Sequence, residues 1–79
     1  MLKIDELNIP NSCLNKAEPL EVIFVLLARD VAAAATVRFW VSERIRLGKN
    51  TMNDDQITSA LVTAECMDQE CALRISEAQ

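Results

Sequence analysis

Apolar residues cluster unevenly along this chain. Residues 20–28 read Leu-Glu-Val-Ile-Phe-Val-Leu-Leu-Ala, a nearly continuous apolar run behind Pro19. Three β-branched residues and a Phe predict a strand with both faces covered. A helix opening at Pro19 is the competing assignment, because short apolar runs fit both. From residue 31 to 47 the pattern becomes helical. Ala33, Ala34, Val37, Trp40, Val41, Ile45 and Leu47 share one arc, with Arg38, Ser42, Arg46 and Lys49 opposite. Asp30 suits the N-cap and Gly48 the stop. Arg44 falls inside the apolar arc and Phe39 on the polar face.

A short loop, residues 48–53, leads into a second predicted helix over 54–76. Asn53 with Gln56 resembles a capping box, and Asp54 and Asp55 suit the positive helix end. Ile57, Leu61, Ala64, Cys71, Ile75 and Ala78 form its apolar stripe, interrupted by Asp68. A narrower stripe, Val62, Cys66 and Leu73, lies opposite. The short loop makes the two helices antiparallel neighbours. Counting outward from it pairs Asp68 with Arg29 and leaves Arg44 out of Asp68's reach. Residues 1–19 read as an irregular arm with a possible strand at 2–5. Pro10 and Pro19 interrupt its period, and residues 11–18 carry turn-forming Asn and Ser. Residues 20–79 then form the strand–helix–helix domain.

The predicted fold class is therefore α+β: one apolar strand followed by an antiparallel two-helix hairpin. A lone strand leaves its N–H and C=O groups without partners, and one hairpin covers only one of its faces. This predicts a homo-oligomer, a dimer or larger, with the strand paired across the interface.

Composition narrows the function. The chain has 79 residues, enough for one domain. It has no histidine and no tyrosine, and Gly48 is its only glycine. The commonest general base, the commonest metal ligand and any Gly-rich phosphate loop are thereby missing. No nucleophile has a base to activate it, so no catalytic residue, cofactor or metal site is assigned and the chain is not read as an enzyme. Cys13, Cys66 and Cys71 fit no zinc or redox spacing and read as buried small hydrophobes of a reducing compartment. Lys3, Asp5 and Glu6 break any signal-peptide core. No apolar run approaches the roughly 20 residues of a membrane helix. The expected location is the cytoplasm, in a host cell if the chain is viral.

Eight basic residues against twelve acidic give a net charge of −4, which argues against nucleic-acid binding. The charge is also segregated. Residues 29–49 carry Arg29, Arg38, Arg44, Arg46 and Lys49 against Asp30 and Glu43, whereas residues 54–77 carry six acids and Arg74. Arg29, Arg38, Arg44 and Arg46, with Phe39 or Trp40 stacking on a base, form a candidate site for a small anionic ligand. The plainer alternative is a solvated helix face.

Phe24-Val-Leu-Leu-Ala-Arg-Asp30, Val37-Arg-Phe-Trp40, Glu43-Arg-Ile45 and Gly48 resemble a loose group of small proteins encoded by phages and prophages. The resemblance continues through Gln56-Ile57, Ala60, Ala64 and Met67. It implies a strand followed by a helical hairpin and, by analogy of size and assembly, an anti-defence role. One form is a sponge, of the anti-CBASS or anti-Thoeris kind, trapping a nucleotide signal between subunits. The alternative is an acidic anti-CRISPR-like protein that docks Asp54, Asp55, Glu65, Glu70 and Glu77 on a host effector. A phage structural or assembly factor is a third reading.

Overall fold

The computed structural model describes the backbone of residues 2–77 and the side chains of residues 2–71. The molecule is helical. Its elements are α1 (Lys3–Asn8), α2 (Cys13–Lys16), α3 (Ala33–Arg46) and α4 (Asp55–Glu77). No strand occurs among the described residues, so the α+β assignment and the strand paired across an interface are both overturned.

The reason lies in residues 20–28. They form no regular element, and the N–H and C=O groups of residues 22–26 make no hydrogen bond among the described residues. β-branched Val22, Ile23 and Val25 with Phe24 disfavour a helix. A strand needs a neighbour, and the segments on either side of this run are helical. The run therefore stays irregular, neither helix nor sheet.

The arm is better ordered than its sequence suggests, and it is helical where a strand at 2–5 was considered. Ser12 is buried; its hydroxyl donates to the Glu6 carbonyl and accepts from the Asn15 N–H. The Asn15 amide shares its hydrogens among the carbonyls of Glu6, Leu7 and Ile9, at 2.9 to 3.1 Å. Two short polar side chains thus satisfy the carbonyls at the end of α1, which a helix leaves unpaired.

α3 and α4 form the hairpin that the apolar spacing predicts, and they pack on each other. α3 starts two residues later than expected because Asp30 caps a turn ahead of it. Its carboxylate accepts from the Ala32 N–H at 2.8 Å. At the other end Gly48, at φ +71°, is the stop. Its N–H reaches the Ile45 carbonyl and that of Lys49 the Arg44 carbonyl, both at 3.0 Å, closing a Schellman motif. The core between the helices is Ala33, Ala34, Val41, Ile57 and Ala64. Alanines let the helices approach but bury little surface, so Val41 and Ile57 supply about 1.5–3 kcal/mol each and dominate the packing.

This core is small for the chain. The radius of gyration is 14.0 Å, against about 12 Å for a compact domain of this length. Cys13 and Cys66 are exposed and Cys71 half-buried, so the expectation of buried cysteines fails. The α4 stripe residues Ile75 and Ala78, and Leu73 of the second stripe, lie outside the described side chains. No helix among the described residues is long and apolar enough to cross a membrane.

Candidate functional site

The arginines proposed for an anionic ligand are held by the protein's own acceptors. Arg38 lies on the rim of the buried face of α3, four residues after Ala34 and three before Val41. From there its guanidinium crosses to α4, 2.7 Å from Asp68 and 3.3 Å from Glu65. The hydrogen bond to Asp68 outweighs the opposing desolvation and, with the negative charge of Asp68 and Glu65, holds the guanidinium pKa above its ordinary value. Arg38 therefore replaces Arg29 as the partner of Asp68. Arg46 forks back along its own helix onto Glu43, with its closest contact at 2.7 Å, and this hydrogen bond raises its pKa.

Arg44 is half-buried. Its guanidinium carbon lies 5.7 Å from the centre of the Trp40 ring, within cation–π range. Its Nε donates to Asn50 Oδ1 at 2.6 Å. Asn50 in turn donates to Asp54 Oδ2 at 2.9 Å and to Gln56 Oε1 at 3.1 Å. Asp54 also accepts from the Thr51 N–H and hydroxyl. The Thr51 backbone bond, then the Asn50 amide and the Thr51 hydroxyl, hold the Asp54 carboxyl below its ordinary 3.8. Arg44 is thus the first member of a polar latch that closes the α3–α4 loop. The expected pairing of Asn53 with Gln56 gives way to Asn50 and Asp54. The hint was the Asn-Thr-Met-Asn-Asp run, but whether Asn50 or Asn53 turns inward is decided by where α3 ends.

Phe39 is exposed on the outer side of α3. Arg29 stands in the turn after residue 27 and makes no ion pair among the described residues. The six candidates are therefore scattered. Arg44 and Trp40 meet on one flank, Arg38 is spent on α4, Arg46 on Glu43, and Phe39 and Arg29 stand apart.

The apolar chemistry is concentrated elsewhere. Leu20, Val22 and Phe24 are 97%, 95% and 84% exposed. Beside them runs an open groove of about 920 Å³. Leu7 and Leu14 of the arm, residues 23–28, and Val62, Cys66 and Met67 of α4 are among the residues that line it. The second stripe of α4 is visible in the sequence as Val62 and Cys66; the arm as a further part of the lining is not. Charged groups, Lys3, Glu6 and Glu70, stand among the lining residues. No group of His, Cys, Asp or Glu among the described residues could hold a metal ion. No protein-family model, curated protein or solved structure matches the chain.

Proposed function

We propose that this chain works by binding another polypeptide, without catalysis, through the apolar surface around Phe24. The observation that carries the reading is the contrast between its charges and its hydrophobes. Arg38, Arg46, Glu43, Glu65 and Asp68 are taken up in ion pairs, and Arg44 and Asp54 in the loop latch. Leu20, Val22 and Phe24, in contrast, are bare. Contiguous exposed apolar surface of this kind marks interaction sites in soluble proteins.

Trapping a phosphate-bearing signal calls for guanidinium groups open to it. Docking an acidic helix on a basic effector calls for free carboxylates. For both charge-based roles suggested by the resemblance to small phage proteins, Arg38, Arg44, Arg46, Asp54 and Glu65 would first have to leave internal partners, and apolar association breaks none of these. The test is a photo-reactive phenylalanine analogue at position 24 in the full chain, expressed in its natural host. Irradiation is expected to give covalent adducts with polypeptide. Their absence, with the protein folded and abundant, refutes the reading.

A further inference from the structure

Resting on that reading, we infer that the polypeptide covering this surface is a second copy of the chain, in a two-fold dimer. The segment around Phe24 of each copy seats in the groove of the other. The first argument is area. The chain exposes 6467 Å², whereas a compact monomer of 8.8 kDa exposes about 4,800 Å². The excess, about 1,700 Å², is roughly twice the 800 Å² each partner gives to a standard interface, and falls in the range of obligate dimers. An exposed helix face alone is an ordinary feature of small proteins. Here the surplus coincides with a bare apolar segment.

The second argument is self-complementarity. A two-fold interface uses one patch twice, so a projection on the patch must meet a recess on the same patch, away from the axis. Val22 and Phe24 are the bare apolar side chains that would seat. The groove lined by Val62, Cys66 and Met67 is the recess, and Phe24 is itself on its rim as one of the lining residues, so the two lie side by side. The third argument is charge. The groove is lined mainly by apolar side chains with Lys3, Glu6 and Glu70 among them, so no block of one sign faces its symmetry mate. The net charge of −4 per copy is screened over about 8 Å at physiological salt. Seating by side chains needs no strand pairing, consistent with a segment that belongs to no sheet.

The experiment is sedimentation equilibrium of the purified full chain across a concentration series, with Cys66 labelling as a second readout. The wild type is expected to sediment at twice 8.8 kDa. Val22→Lys and Phe24→Lys place a charge at the seat. Each is expected to weaken dimerisation on the order of 100-fold, as loss of a central anchor does. Both positions are solvent-facing in the protomer, so circular dichroism is expected to show unchanged helix content. Phe39→Lys, outside the groove, is expected to leave the dimer intact. Cys66 is expected to react slowly with maleimide in the dimer and quickly in Phe24→Lys. A wild type of single-chain mass overturns the inference, as does a dimer that survives both substitutions or a Cys66 rate indifferent to them. A single-chain mass together with photo-adducts to some other polypeptide leaves the binding reading standing and removes only the second copy. A single-chain mass with no adducts removes both.

Discussion

Ile57 is the one large side chain among the described residues that is completely buried, so its truncation measures how much of this fold the hairpin core carries. Ile57→Ala removes three carbons. At about 0.8 kcal/mol per buried methylene the transfer loss alone is about 2.4 kcal/mol. A residual cavity adds to this, within the range of about 2–5 kcal/mol seen for such substitutions. The shallow core, with alanines at Ala33, Ala34 and Ala64, can relax around the gap, so the expected total is about 2.5–3.5 kcal/mol. A chain of this length is worth about 4–12 kcal/mol in all, and its small core puts it near the lower end. The substitution should then lower the melting temperature by about 10–25 °C, at about 4–8 °C per kcal/mol. Thermal and urea unfolding followed by far-ultraviolet circular dichroism measures it. Each variant should be run at two protein concentrations, because association makes the transition concentration-dependent. Phe39→Ala is the control: a larger residue, but 67% exposed, whose truncation should cost less than about 1 kcal/mol. If Ile57→Ala costs no more than Phe39→Ala, the packing of α3 on α4 is not what holds the chain together.

Three further outcomes follow from the same geometry. Gly48→Ala meets no atom within 4 Å, so its cost is backbone strain at φ +71° alone, about 1–2 kcal/mol, and Gly48→Asn should cost less; thermal melts rank the two. The Asp54 carboxyl titrates lower in the folded chain than its ordinary 3.8, because Thr51 and Asn50 donate to it. Its contribution is therefore complete above the unfolded pKa and lost as pH falls through the folded one; Asp54→Asn should flatten the acid limb of stability below about pH 5, and melts across that range would show it. Arg38→Ala leaves Asp68 and Glu65, one turn apart on α4, without their shared cation. The variant should melt lower at low salt and approach the wild type as salt rises, and a salt-independent difference would assign Arg38 a packing role instead.

Much of the hairpin was legible along the chain. Ala33, Ala34, Val41, Ile57 and Ala64 recur at helical spacing, and Gly48 is the one residue able to take the left-handed conformation without strain. These are local properties: a stripe of side chains is a consequence of about 3.6 residues per turn, whatever the helix later packs against. The partners of the charges were less legible. Counting along the helices pairs Asp68 with Arg29, but Arg38 takes it, because Arg38 is the cation that stands on the rim of the interface. The capping-box spacing points to Asn53, and only the exit direction of α3 turns Asn50 toward Arg44 and Asp54 instead.

What the sequence by itself determined is the two long helices, their antiparallel connection and the surplus of apolar side chains. What only the tertiary structure decided is what that run becomes. Hydrogen-bonded strand status belongs to a pair of segments, and no periodicity within one segment can supply the other. The structure gives residues 20–28 no neighbour to pair with, turns the arm into two short helices, and leaves the groove between arm and α4 open beside Phe24. Local pattern sets the form of each piece, because it acts over a few bonds. Contacts between pieces set the site, because they depend on distances that the order of residues does not encode.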